Sequence, residues 1–404
     1  MTATEPSKST LDQIPKGVWA LGFVSMLMDI SSEMVHALLP LYLVTILGTS
    51  MVTVGIIEGI AEATASITKI FSGALSDWIG KRKLLAAVGY GLAAFTKPVF
   101  PLAPTIGWLI AARFVDRVGK GIRGAPRDAL VADISPAHLR GASFGLRQSL
   151  DTVGAFLGPL FAIALMWWTM DNFQMVFWAA VIPAFLALAL IIFAVHEPER
   201  AEGLRKILNP LSLREMKTMG VAYWLVVVVG VVFTLARFSE AFLILRAQNV
   251  GVPIMWVPAV MVVMNLVYAL AAYPAGVLSD QTNRIMPLKV GIMLLIAGDI
   301  ILALVPTFQG VAIGVALWGL HMGFTQGLFA TLVADTSPPE LRGTAYGFFN
   351  LFTGFAMLAA SILAGALWDI AGPVGTFTAG ACFAAAAFLG VAFIGARISK
   401  VATE

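Results

Sequence analysis

The 404 residues carry 26 Lys and Arg against 23 Asp and Glu, a formal net charge of +3, with 59% hydrophobic and only 12% charged residues. Soluble domains carry about a quarter charged residues. The composition therefore excludes a soluble globular enzyme, a disordered chain and a nucleic-acid binder, which concentrates basic charge on an exposed face. What remains is an all-α membrane protein with many spans. A bilayer core takes about 20 apolar residues per helix, so twelve spans fit the length and leave only short loops. Cys382 is the single cysteine, so no internal disulfide or thiolate metal cage forms. No cofactor or metal is expected.

In chain order, residues 1–16 read as a polar tail without a cleavage site, and the first apolar run is too long for a signal peptide. Apolar runs follow near 17–47, 52–72, 84–101, 105–122, 142–168 and 173–195, which make a first six-helix bundle over 17–195. Residues 196–217 are a polar linker. Runs near 218–246, 254–275, 287–305, 309–332, 344–368 and 374–396 make a second bundle over 218–396, and 397–404 form a closing tail. Loops on one side of this arrangement, from Lys8 and Lys16 through Lys81, Arg82 and Lys83 to Lys400, hold all the loop Lys and Arg, and the opposite loops hold none. The positive-inside rule then predicts both termini in the cytoplasm.

The first span places Asp29, Glu33 and His36 on one helical face. Ionisable groups at that depth mark pathways by default, so Asp29 and Glu33 are candidates for proton carrying or cation binding, with His36 beside them. In the second span, Glu58 reads as an interfacial carboxylate and Glu62 as a partner of Lys69. The fourth is the most charged, with Arg113, Asp116, Arg117, Lys120 and Arg123. It must line water or meet acidic partners on spans one, two and five. Gly119-Lys120-Gly121-Ile122-Arg123-Gly124 fits GxGxxG, but no strand precedes it, so it is rejected as a dinucleotide site. In the fifth span Arg147 and Asp151 form a structural pair, and Gly154, Gly158 and Pro159 form a hinge. Arg237 and Glu240 lie in the seventh span, where Ser239-Glu240 parallels Ser32-Glu33. Asn265, His321 and Asn350 are further candidates for cavity lining, and Asp299 is a lone acid without an assigned role.

The halves are related. ALVADISPAHLRGASFG at 129–145 matches TLVADTSPPELRGTAYG at 331–347 in ten positions, and GALSD at 73–77 matches GVLSD at 276–280. Parallel repeats about an axis along the membrane normal build one class of secondary transporter. The segment Gly73-Ala74-Leu75-Ser76-Asp77-Trp78-Ile79-Gly80-Lys81-Arg82-Lys83 resembles the loop 2–3 signature of the major facilitator superfamily, with Trp78 in place of a basic residue. The second copy keeps Gly276, Leu278 and Asp280. Arg113 resembles that family's intramembrane arginine, and Gly154-Ala155-Phe156-Leu157-Gly158-Pro159 resembles its Gly-x-x-x-Gly-Pro motif of exporting exchangers.

The resemblance implies two pseudo-symmetric six-helix bundles rocking about a central cavity. It also implies a gate at Gly73, Asp77, Gly80, Lys81, Arg82, Gly276 and Asp280. No nucleotide-hydrolysing loop and no nucleophile–base set is present, so the expectation is a secondary transporter and not an enzyme. Its expected partners are a small-molecule substrate, a coupling proton and the lipid bilayer of a bacterial inner membrane, with no nucleic acid and a functional monomer. Asp29, Glu33, Arg113, Arg237 and Glu240 are expected on the substrate or proton pathway. Two other readings stay open: a metal-cation exporter using Asp29, Glu33 and His36, and an importer of an anionic nutrient or chelate using Arg113 and Arg237.

Overall fold

A computed structural model describes residues 13–79, 81–198, 216–281, 285–325, 328–338 and 341–401. Every regular element among them is a helix. Ten segments are long and apolar enough to cross a membrane. One of them, Thr344–Phe393, crosses twice, turning at Gly372 (φ 66°) immediately before Pro373. A further helix, Ile106–Ile134, is too charged to qualify by composition but runs the same length between two apolar neighbours. The described residues therefore form twelve crossings.

The crossings are α1 (Lys16–Thr45), α2 (Met51–Ile79), α3 (Arg82–Leu102), α4 (Ile106–Ile134), α5 (Arg140–Trp168) and α6 (Phe173–Ala194). They continue as α7 (Val221–Asn249), α8 (Ala259–Gln281), α9 (Ile285–Leu304) and α10, described as Phe308–Thr325 and Leu328–Thr336. Arg342–Val401 supplies α11 (342–371) and α12 (373–401). The expected spans are recovered in order. The helices outrun the apolar runs on the side where Lys16 and Val401 lie, called here the near side. There α2 continues to Ile79, α4 to Ile134 and α12 to Val401, through charged turns still able to hydrogen-bond internally. The greater part of the expected linker 196–217, Gly80, and the side chains of Asp77, Gly276 and Asp280 lie outside the described residues.

Two breaks matter for the site. In α3, helix stops at Thr96 and resumes at Val99, because Pro98 supplies no N–H; Lys97 sits in the gap. In α7, residues 237–240 leave the helix between Ala236 and Ala241. The freed N–H of Ser239 donates to Ser361 Oγ on α11 at 3.2 Å. Irregular backbone at membrane depth is tolerated only where protein or a water-filled cavity receives it.

Helices α1–α6 pack among themselves, mainly as α1 on α5 and α6, and α4 on α2 and α3. In the second half, α7 and α9 pack on Arg342–Val401, and α10 packs on α8 and α9. The halves meet along α2 with α11 and along α5 with α8. On the far side the α2–α11 contact is backbone to backbone. Gly59 lies against the Leu358 carbonyl, and Gly55 and Gly365 lie against Ser361 and Met51, so a methyl group at Gly55 or Gly365 would collide and one at Gly59 would crowd its neighbour. Asp369 completes this seal. Its Oδ1 accepts from Met51 N at 3.1 Å and its Oδ2 from Val52 N at 3.0 Å, capping α2 from the other half.

A cap of this kind contributes about 1 kcal/mol. Asp369→Ala is therefore expected to raise the population open on the far side about fivefold. Maleimide labelling of Val52→Cys in a Cys382→Ser background measures it; an unchanged labelling rate rejects the latch.

Candidate functional site

Sequence expectation puts acidic partners for α4 on neighbouring spans, and the structure supplies them. Arg113 Nη2 donates to Glu58 Oε2 at 2.8 Å, with both side chains buried. Glu58 was expected at the interface. It is instead wholly buried, because Arg113 of α4 and His36 of α1 close over it. Arg117 Nη1 lies 3.3 Å from Glu62 Oε1, so Glu62 pairs with α4 and not with Lys69.

His36 stands between two of these acids, with Nδ1 3.5 Å from Glu33 Oε2 and Nε2 3.6 Å from Glu58 Oε2. Glu33, His36, Glu58 and Arg113 thus form one chain of ionisable groups across α1, α2 and α4. Nearer the termini, Arg127 and Arg147 share Asp151 at 3.6 and 3.4 Å, and both approach Asp128. The expected Arg147–Asp151 pair is present. Of the expected near-side gate, Arg82 is placed: its Nη1 donates to Asp133 Oδ2 at 2.6 Å. The N–H groups of Arg82 and Lys83 donate to Glu197, which ties the start of α3 to the segment after α6. Lys81 precedes α3, and Gly73 faces Ala125 of α4.

Sequence reasoning missed Lys97. It is 1% exposed, and its Nζ donates to Asp116 Oδ1 at 3.0 Å and to Ser32 Oγ at 3.3 Å. A lysine beside a proline inside an apolar run was the available signal. The second half holds a counterpart 202 residues on. Asp299 corresponds to Lys97 and Trp318 to Asp116. Trp318 Nε1 donates to Asp299 Oδ1 at 2.8 Å, and both contacts span 19 residues of chain. An ion pair in one half is an indole–carboxyl hydrogen bond in the other. Asp299, left without a role by the sequence, is therefore a packing partner of α10. Its other oxygen has no partner and abuts Gly380 of α12.

Two chambers adjoin in the centre. The first, about 260 Å³, lies between the halves. Glu33, His36, Glu62, Arg117 and Lys120 face it from the first half, and Arg237, Glu240, Asn265 and Trp318 from the second. The second, about 300 Å³, shares Glu33, Glu62 and Lys120 and continues toward the near side past Asp29, Arg123, Arg127 and Asp151. Of the expected pathway residues, Glu33, Arg237 and Glu240 meet in the first chamber, and Asp29 lies in the second. Arg113 lines neither; it stands behind Glu58.

Asn265 Nδ2 bridges the halves, donating to Ala155 O at 3.2 Å. His321 is buried against Trp318 and Phe233, off the chamber wall, and Asn350 also lies off it. Among the described residues no cluster of three or more metal-ligating side chains gathers, and Asp29 is in a different chamber from His36.

The glycine motif of α5 now has a location. Gly154 abuts the Met26 carbonyl and Asp29 Cβ, and Gly158 abuts the Ile30 carbonyl and Glu33 Cβ. A side chain at either would push α5 off the carboxylate face of α1. The two glycines bring the helices together next to both candidate acids, and Pro159 follows within the helix.

A sequence profile described as Major Facilitator Superfamily matches residues 21–361 and 260–402. The chain belongs to the Major Facilitator Superfamily. It is 31% identical over 395 residues to an uncharacterised MFS-type transporter of Methanocaldococcus jannaschii, covering 95% of this chain and 96% of that one. It is 24% identical over 371 residues to the multidrug resistance protein MdtH of Proteus mirabilis, covering 88% and 87%. The crystal structure of the nucleoside transporter NupG superposes with a TM-score of 0.75 at 14% identity, over 94% of this chain and 99% of that one, which shows a common fold. A superfamily member with these spans is an integral membrane transporter.

Proposed function

We propose that this facilitator couples inward proton movement to export of a small organic solute by alternating access, acting as a monomer in a bacterial inner membrane with both termini cytoplasmic. The observation that carries the reading is the chain Glu33–His36–Glu58–Arg113. Its Glu33 end faces the central chamber, and its Arg113 end is sealed in protein. A buried guanidinium stays charged, so it fixes the charge at one end while Glu33 meets water at the other. Glu33 borders both chambers and Asp29 only the second, so one proton-carrying face on α1 serves successive stages of passage.

The near side is assigned to the cytoplasm by its basic loops. The conformation, with Asp369 sealing the far side, is then the one closed to the outside. Export is supported by the α5 glycine motif, whose two glycines pack on the carboxylate-bearing turns of α1, and by the multidrug resistance role in the name of the Proteus relative.

Reconstituted liposomes with an imposed pH gradient test the reading against a solute panel. Proton-driven flux is expected in the native protein, and Glu33→Gln is expected to reduce it to the level of protein-free liposomes. Flux unchanged in both Glu33→Gln and Asp29→Asn rejects the coupling assignment. Accumulation on the side of the termini identifies an importer instead.

A further inference from the structure

The charges lining the first chamber balance: Glu33, Glu62 and Glu240 against Arg117, Lys120 and Arg237. Their pairing is uneven. Glu33 is met by His36 and Glu62 by Arg117. Arg237, Glu240 and Lys120 form no ion pair with any described residue, and Arg237 Nε is buried without a hydrogen-bond partner. Arg237 and Glu240 are three residues apart, but the α7 break falls between them, so they do not meet as neighbours on a continuous helical turn. The Phe233 ring lies 5.9 Å from the Arg237 guanidinium and backs it from one side.

An unpaired charge held in a confined chamber is incompletely solvated, most of all at the buried Arg237 Nε, and a ligand group of opposite sign relieves it. A lone anion answers Arg237 and Lys120 but then faces Glu240. A lone cation answers Glu240 but faces the two bases. One molecule carrying both a carboxylate and an ammonium answers all three. The chamber is also small: about 260 Å³, below the range that holds drug-sized ligands. Its apolar wall is limited to groups such as Phe238, Met261, Trp318 and Met357, enough for a short side chain.

We propose that the first chamber binds a small zwitterion, an α-amino acid or an ammonium–carboxylate compound of similar size. Its carboxylate lies on Arg237 and Lys120 and its ammonium on Glu240. This rests on reading the chamber as a carrier's binding site and names the solute class for it.

The test is binding, which needs no gradient. Purified full-length protein in detergent is titrated, by thermal shift, with the twenty proteinogenic amino acids and glycine betaine. Each is matched to the amine and the carboxylate that share its carbon skeleton. At least one zwitterion is expected to bind, with both of its singly charged analogues at least about tenfold weaker, since a site built for a polar group rejects the analogue that lacks it. Glu240→Gln is expected to bring the carboxylate analogue level with the zwitterion, and Arg237→Gln the amine analogue. Lys120→Gln, at an exposed chamber position where folding is not at risk, is expected to weaken the zwitterion and the carboxylate analogue together.

The proposal is overturned if no zwitterion binds, if a singly charged analogue binds the native protein as tightly, or if the crosswise exchange fails in well-folded variants. Zwitterion binding without proton-driven flux sinks the coupling reading alone. Proton-driven flux of uncharged or singly charged solutes only, without zwitterion binding, leaves the carrier standing and removes this inference.

Discussion

Glu58→Gln is expected to destabilise the protein by about 3 kcal/mol, the lower end of the cost of breaking a buried ion pair. The Arg113 guanidinium is 1% exposed and Glu58 is 0% exposed. Neutralising the acid leaves the buried cation without its ion-pair partner. The lower end applies because a chain unfolded within the membrane also finds partners for its polar groups. Glu62→Gln supplies the comparison. Glu62 is 35% exposed to the chamber, so water screens its contact with Arg117, and its loss is expected to cost less than about 1 kcal/mol. Removing both charges with Glu58→Leu and Arg113→Leu is expected to recover most of the loss, because the uncompensated cation goes too. Reversible unfolding in mixed micelles of increasing SDS content measures all three. Equal losses in Glu58→Gln and Glu62→Gln would show that burial does not set the energetics of this network.

That contrast also marks where the sequence stops being informative. The number and order of spans follow from apolar runs, because hydropathy is a one-dimensional property of the chain. The charged α4 announces that acidic partners exist. Which acid meets which base is a property of helix rotation and depth, and those depend on neighbours. Glu58 illustrates this: counting inward from an apolar-run boundary puts it near the surface, whereas the α2–Arg113 contact encloses it. Glu62 was reachable by Lys69 on its own helix but is claimed from α4. Lys97 escaped notice because a single lysine hardly alters a run's apolarity, and the proline gap that frees it is visible only once α3 is built. The α7 break has no proline or glycine to announce it. It is stabilised from outside by Ser361, so only the fold reveals that Arg237 and Glu240 flank an irregular turn.

The repeat-related pairs of α3–α4 and α9–α10 give the second large expected effect. Asp116→Asn leaves Lys97 as a buried ammonium with a neutral amide and Ser32 Oγ as its acceptors, and the expected loss is about 3 kcal/mol. Asp299→Asn, at the corresponding position of the second half, is expected to cost less than about 1 kcal/mol, because the amide oxygen still accepts from Trp318 Nε1 and no cation is orphaned. The two acids are almost equally buried, at 2% and 0% exposed, so burial does not distinguish them. What distinguishes them is the partner, an ammonium in one half and an indole in the other. If duplication of an ancestral half produced both sites, the ion pair belongs to the half that carries the charged α1 and α4 faces, and the second half has replaced it with a neutral donor. SDS unfolding of the two variants decides the matter: a loss for Asp299→Asn as large as that for Asp116→Asn would mean that the Asp299 carboxyl serves an electrostatic purpose that its hydrogen bond to Trp318 does not account for.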